Sequence, residues 1–439
     1  MYSNTHHIVA IVGRPNVGKS TLFNRIVGRS KAITTPEAGG TRDRNYDIAE
    51  WCGRTFALVD TGGYLPGEDG NFESAIRKQV RIAVQECDVI LFLVDCKSGL
   101  LPNDYVIAEM LRKAGKPIVM VANKADNAMR ALVAPSFQAL GLGDVYPISA
   151  SHGRGTGDLM DAIVGHMDDS KDEQVVEGIP RIAFVGKPNV GKSTLMNALL
   201  NQERSIVSEQ PHTTRDALHS LYNLYGQRFM ITDTAGIYRK NKYKEAIEFY
   251  SVIRSVKVMQ QSDICIVMIE ASKGLTKQDL HILQLAHQQR KGIILAVNKW
   301  DLVDKSLYDG VQYRKDVSAQ LGTLSYVPVV FISGLTKQRI YHLMKKTLEV
   351  YHNRKQRLGT PLLNTIIQKA ITQVPPPVIK GKYVKIKYAT QIPLSAPTIA
   401  LFANLPQYIS TTYKRYLTNQ LRNHFNFEGV PLTIVCKKK

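Results

Sequence analysis

The chain is predicted to be α/β, with two copies of a domain built as a parallel sheet with helices on both faces and a smaller α+β domain after them. Three observations on the 439-residue sequence carry this. First, Gly13-Arg14-Pro15-Asn16-Val17-Gly18-Lys19-Ser20 returns as Gly186-Lys187-Pro188-Asn189-Val190-Gly191-Lys192-Ser193. Second, the same 173-residue step carries Thr41-Arg42-Asp43 onto Thr214-Arg215-Asp216 and Asp60-Thr61-Gly62-Gly63 onto Asp233-Thr234-Ala235-Gly236, and a 175-residue step carries Asn123-Lys124-Ala125-Asp126 onto Asn298-Lys299-Trp300-Asp301. Third, the pattern changes after Tyr351, where apolar periodicity continues but acidic residues almost vanish.

In the first copy His7 to Val12 reads as a buried strand that runs into the glycine-rich loop, and a helix begins at Ser20. Further strands are expected at Thr55 to Val59, Val89 to Asp95, Pro117 to Ala122 and Val145 to Ile148, with helical stretches between them. Such alternation calls for crossover connections and a parallel sheet. The second copy repeats the pattern from Arg181. Asp168 to Glu177, with five acids and no aromatic residue, reads as a linker. Beyond Tyr351 the order is α-β-β-α-β: a helix near Pro361 to Gln373, a break at Pro375-Pro376-Pro377, strands near Lys382 to Tyr388 and Thr398 to Ala403, a helix near Ile409 to Phe425, and a strand near Leu432 to Cys436. The expected division is therefore 1–167, 168–179, 180–350 and 351–439.

Charge rises along the chain. Residues 1–167 hold 18 basic and 17 acidic residues, whereas residues 351–439 hold 14 basic residues and the single acid Glu428, within a total formal charge of +20. A folded domain so depleted of carboxylates suits a polyanion, because each phosphate it neutralises releases counterions. On its long helix Ile409, Tyr413, Tyr416, Leu417 and Leu421 share one face while Lys414, Arg415 and Arg422 leave it. On its first strand Tyr383, Lys385 and Lys387 alternate with Val384, Ile386 and Tyr388. The five cysteines show no CxxC pairing, which points to reduced thiols. The longest apolar runs fall far short of the roughly 18 residues that a membrane span needs. A soluble, cytoplasmic protein without membrane contact is expected, with a monomer as the expected state.

The repeated motifs carry phosphate chemistry. Glycines let backbone amides converge on an anion at a helix N-terminus, Lys19 and Lys192 should reach the β- and γ-phosphates, and Ser20 and Ser193 should offer hydroxyls to Mg2+. Asp60 and Asp233 suit carboxylates that hold Mg2+ through water. Gly63 and Gly236 suit amides that meet the γ-phosphate, and Thr41 and Thr214 could complete the metal shell only while that phosphate is present. The flanking Thr61, Gly62 and Thr234, Ala235 belong to the same turns. Asp126 or Asp301 can accept from the two donors on the guanine edge, whereas adenine would present an acceptor, so GTP and GDP are the expected ligands.

With these motifs in order, the sequence resembles the Der (EngA) family of bacterial GTPases, which have tandem G domains and a C-terminal KH-like domain. The resemblance covers nearly the whole chain. It implies GTP binding and hydrolysis in both domains and a role in maturation of the large ribosomal subunit through ribosomal RNA. Many GTPases place a glutamine after the DxxG glycine to orient the attacking water, but here Tyr64 and Ile237 stand there. Related potassium-stimulated enzymes use the phosphate-loop asparagine to hold K+, so Asn16 and Asn189 are expected to do so, with cation charge offsetting negative charge that develops on the leaving phosphate.

Some positions depart from the family pattern. Ala38-Gly39 and Pro211-His212 replace the usual Pro-Gly before the switch threonine. The base-supporting Ser149-Ala150 becomes Ser333-Gly334 in the second copy, which allows a somewhat different guanine affinity there. The last domain lacks a GxxG loop, so any RNA contact must come from its basic surface. Arg42 and Arg215 suit structural or phosphate contacts better than arginine fingers. Tyr238-Arg239-Lys240-Asn241-Lys242 is either a solvated loop or a nucleotide-responsive cationic segment. The expected function is a GTP-driven ribosome assembly factor whose two nucleotide states control RNA docking. The alternative is a nucleotide-gated switch that signals to protein partners without RNA.

Overall fold

The structure, a computed structural model, describes residues 7–34, 46–61, 80–81, 83–84, 87–167, 178–200, 219–224, 227–232, 255–303, 309–379 and 381–438. The chain divides into two units, Met1–Val175 and Val176–Lys439. The linker expected over Asp168 to Glu177 lies outside the described residues.

The first unit holds a six-stranded sheet of β1 (Ile8–Val12), β2 (Tyr46–Trp51), β3 (Arg54–Asp60), β4 (Val89–Asp95), β5 (Ile118–Asn123) and β6 (Val145–Pro147), in the order β2-β3-β1-β4-β5-β6. Helices α1 (Lys19–Thr34), α2 (Pro102–Arg112) and α3 (Thr156–Gly165) lie between strands or after the last one. Every residue of β1 and of β4 is buried. Strands covered on both faces tolerate no polar side, which is why both read as unbroken apolar runs. Leu22 and Phe23 of α1 and Leu159 and Ile163 of α3 share a core with Val9, Ile11, Leu91 and Val121.

One edge differs from the expected all-parallel sheet. β2 runs antiparallel to β3, with Trp51 opposite Arg54. The two-residue turn between them, Cys52-Gly53, has positive φ at both positions (48° and 79°), the primed-turn conformation that matches strand twist. The signal was present as alternating residues in 46–51 followed by Cys-Gly, but a half-covered edge strand lacks the long apolar run that marked its neighbours.

The second unit begins with the same sheet. Strands β7 (Arg181–Gly186), β8 (His219–Leu224), β9 (Gln227–Thr232), β10 (Ile264–Glu270), β11 (Gly292–Asn298) and β12 (Val329–Phe331) lie in the order β8-β9-β7-β10-β11-β12, with β8 again the antiparallel edge. Helices α4 (Lys192–Leu200), α5 (Lys277–Gln288), α6 (Gly310–Leu321) and α7 (Ile340–Lys355) accompany it.

The chain continues through α8 (Thr360–Gln373), β13 (Ile386–Ile392), β14 (Thr398–Ala403), α9 (Thr411–His424) and β15 (Thr433–Lys438), the expected α-β-β-α-β order. The sheet order is β13-β14-β15, with β13 antiparallel and β15 parallel to β14. The first strand begins at Ile386, later than expected. Even so, Tyr383, Lys385 and Lys387 are exposed while Ile386 is buried and Val384 and Tyr388 are half-buried. On α9, Tyr413, Leu417 and Leu421 enter the core with Ile409, as the periodicity required.

Arg422 departs from the expected outward position. Its guanidinium stacks 4.2 Å from the Tyr326 ring centroid and donates to the carbonyls of Phe427 and Val430, each at 2.7 Å. Val430 packs into the core of the six-stranded sheet, and Gly429 donates to the Tyr326 carbonyl at 2.8 Å. The guanidinium is drawn inward because the 427–430 loop exposes carbonyls that need a donor once the loop is buried.

Candidate nucleotide sites

Each glycine-rich loop leaves the end of a central strand and enters a helix, β1 to α1 and β7 to α4. In the first, Lys19 is buried and its ammonium donates to the carbonyls of Gly13 and Arg14 at 2.8 and 2.9 Å. In the second, Lys192 donates to Gly186 and Lys187 at 2.7 and 2.6 Å. Burial pulls the Lys19 ammonium below its ordinary value, with Asp60 opposing, and pulls Lys192 down to about 8. Both ammonium groups thus sit inside the concavity, held by carbonyls that an incoming phosphate would replace.

Asn16 and Asn189 are exposed and adopt left-handed φ of 64° and 65°. Pro15 is exposed, Pro188 is half-buried, and Val17 and Val190 anchor each loop in the core. Ser20 donates to the fully buried Asp60 carboxylate at 2.6 Å, and Thr61 ties the strand end to the Ile11 carbonyl at 2.7 Å. The two oxygen groups beside the loop are donors of the hard kind that Mg2+ prefers. Among the described residues there is no group of three or more His, Cys, Asp or Glu side chains that could hold a metal ion. Thr41, Gly62, Gly63, Tyr64, Thr214, Asp233, Thr234, Ala235, Gly236 and Ile237 lie outside the described residues, as do Arg42, Arg215 and the 238–242 segment.

The third motif is brought to the loops from over a hundred residues away. Asn123, at the end of β5, donates to the Val17 carbonyl at 2.7 Å and accepts from the Ala150 amide at 3.0 Å. Asn298, at the end of β11, donates to Val190 at 2.8 Å and accepts from the Gly334 amide at 2.9 Å. A Cβ on Gly18 or Gly191 would strike these asparagine amides, and both glycines have φ of 96°. The Gly334 substitution therefore leaves the backbone tether intact.

Lys124 links the Asn16 carbonyl at 2.6 Å to the Asp95 carboxylate at 2.7 Å, and Lys299 pairs with Glu270 at 3.1 Å. Ala125 and Trp300 are buried beneath the motif. The two carboxylates expected to meet guanine, Asp126 and Asp301, differ in their surroundings. Ser149 donates to Asp126 at 2.6 Å, which together with His152 and Arg130 holds that carboxyl below its usual range. Asp301 is exposed, and the Ser333 hydroxyl instead accepts from the Thr336 amide at 3.1 Å.

Sequence reasoning did not mark the acidic partners Asp95, Glu270, Asp104 and Asp279. The last two lie 3.4 Å from Arg14 and 3.2 Å from Lys187. Their recurrence at a 175-residue step was the available signal, but no local motif surrounds them.

Comparison with known proteins agrees with this geometry. The family described as 50S ribosome-binding GTPase matches residues 8–124 and again 181–299, and the KH-domain-like C-terminal region of EngA bacterial GTPase enzymes matches residues 357–437. The elongation factor Tu GTP-binding domain family also matches, over residues 248–369. GTPase Der of Amoebophilus asiaticus is 52% identical over 99% of this chain and 100% of its own length. GTPase Der of Cytophaga hutchinsonii and of Flavobacterium johnsoniae are 49% and 48% identical, each over 99% of this chain and 100% of theirs. With two phosphate loops, two guanine motifs and a KH-like end in one chain, the protein belongs to the Der (EngA) family of GTP-binding, GTP-hydrolysing enzymes.

Proposed function

We propose that this GTPase acts in assembly of the large ribosomal subunit, and that the nucleotide states of its two sites control how the basic C-terminal module docks on ribosomal RNA. The observation that carries the proposal is the exposed row Tyr383, Lys385 and Lys387, on a module with 14 basic residues and one acid. An aromatic ring at the end of a row of ammonium groups suits a base stacked beside a phosphate backbone. The division into 1–167, 168–179, 180–350 and 351–439 is the organisation this function uses.

In each site, loop amides and Lys19 or Lys192 hold the β- and γ-phosphates, and Asp126 or Asp301 selects guanine. Ser20, Thr41 and Asp60, and Ser193, Thr214 and Asp233, would hold Mg2+, which supplies charge neutralisation at the phosphates. The amides of Gly63 and Gly236 meet the γ-phosphate. Water attacks that phosphorus, the β–γ bridging bond breaks, and GDP and phosphate leave. Asn16 and Asn189, exposed at the lip of each loop, would hold K+. Equal turnover in K+ and Na+ would exclude that role.

Gradient co-sedimentation of the full chain with large ribosomal subunits, in GDP, GTP and a slowly hydrolysed analogue, tests the function. Salt-sensitive, nucleotide-dependent association is expected. Identical association in all three would overturn the nucleotide control, and no association would favour the protein-partner alternative. Among the described residues no helix is long and apolar enough to cross a membrane, and a monomeric, cytoplasmic protein is the state we infer.

A further inference from the structure

We propose that Asp104 and Asp279 are positioning residues for nucleotide binding, each latching its phosphate loop through the cation at the loop's second position, Arg14 or Lys187. The inference rests on the assignment of the two loops as phosphate sites. Asp104 is the third residue of α2; it is fully buried, and its carboxylate accepts the Leu101 amide at 3.0 Å and pairs with the Arg14 Nε at 3.4 Å. Asp279 is the third residue of α5; it accepts the Thr276 amide at 3.0 Å and the Thr276 hydroxyl at 2.7 Å and pairs with Lys187 at 3.2 Å. The cation is secured a second time in each copy, Arg14 by the Ser98 hydroxyl and Lys187 by the Thr276 hydroxyl. The arrangement has thus been kept through a duplication although the cation changed from one residue type to the other.

Helix capping alone does not account for it. An N-terminal carboxylate that only caps a helix needs no loop cation and is usually solvated, whereas these two are nearly or wholly excluded from water and would be costly without an opposite charge. The cation that pairs with each of them belongs to the loop whose amides must stay splayed before any phosphate arrives. Its backbone is also engaged, because the Arg14 and Lys187 carbonyls accept from Lys19 and Lys192. Once phosphate oxygens draw the lysine away, the carbonyl tether is lost and only the side-chain latch remains to hold that residue. The latch therefore pre-forms the anion cradle, and its contribution appears as affinity.

The test uses full-length chains with one site disabled. In Lys192→Ala, which isolates the first site, a fluorescent methylanthraniloyl GDP is titrated against Arg14→Gln, Asp104→Asn, the double variant and Arg14→Lys. Each neutralising variant is expected to weaken binding about ten-fold or more, the double no further than the worse single, and Arg14→Lys to stay within about three-fold of the reference, because the second site uses lysine. Lys187→Gln and Asp279→Asn in Lys19→Ala should behave likewise. Single effects that multiply in the double variant, or Arg14→Gln with unchanged affinity, would overturn the latch. If Asp104→Asn fails to fold, the Arg14→Gln and Arg14→Lys pair decides alone. Reference chains that bind no nucleotide would overturn the site assignment and the latch together, whereas binding references with unaffected latch variants would overturn the latch only.

Discussion

The Gly429 carbonyl accepts the amide of Ile293 at 2.7 Å, so the C-terminal module is hydrogen-bonded to the beginning of the strand whose other end carries Asn298. At about 3.3 Å per residue, one rigid element connects the docking loop with the guanine motif. Glu428 adds to the junction, with Lys346 at 3.3 Å and Asn353 donating to its carbonyl at 3.1 Å.

Gly429 has φ of 72°, and a Cβ there would strike Val350. Gly429→Ala should therefore destabilise the junction by about 1–3 kcal/mol through overpacking, with a left-handed backbone penalty in addition. Calorimetry is expected to show the second unit's transition broaden or split, as the module loosens from the sheet.

Arg422→Ala removes a guanidinium that two loop carbonyls and one aromatic ring share. Orphaning those carbonyls should cost about 2–4 kcal/mol. Arg422→Lys should recover only part of it, because an ammonium cannot match the planar fork. Urea unfolding of the full chain, followed by Tyr fluorescence, measures both.

Ser149→Ala deprives Asp126 of its shortest hydrogen bond, and guanine nucleotide affinity at the first site should fall about three- to ten-fold. Ser333→Ala should matter less, because that hydroxyl serves the Thr336 amide. Titration of chains with the opposite site disabled separates the two.

Lys291 is buried and donates to the carbonyls of Gln260 and Ser262, each at 2.8 Å, and burial pulls its ammonium down to about 7. The unfolded chain keeps this proton up to the ordinary value of 10.5, so folding of the second unit gains stability as pH rises from 7 toward 10.5. Between pH 7 and 9, below the range of the Cys265 thiol, which burial raises to about 11, the melting temperature of the second unit should climb more steeply in the parent chain than in Lys291→Met.

The order of motifs, the duplication and the α-β-β-α-β end were legible from sequence because each is a local pattern: glycine spacing, an apolar run, an alternation. Buried runs such as 89–95 announced themselves, whereas the half-covered edge strand 46–51 did not, since its burial depends on β3 beside it. Tertiary structure alone decided where Asn123 reaches, which carboxylate meets Arg14, and that Arg422 turns inward. Those outcomes depend on atoms brought together from separations of 90 residues or more in the case of Asn123, Arg14 and Arg422's ring partner Tyr326. Side-chain periodicity can say that a residue leaves a helix face, but only the packed neighbours settle whether it meets water or an unsatisfied carbonyl.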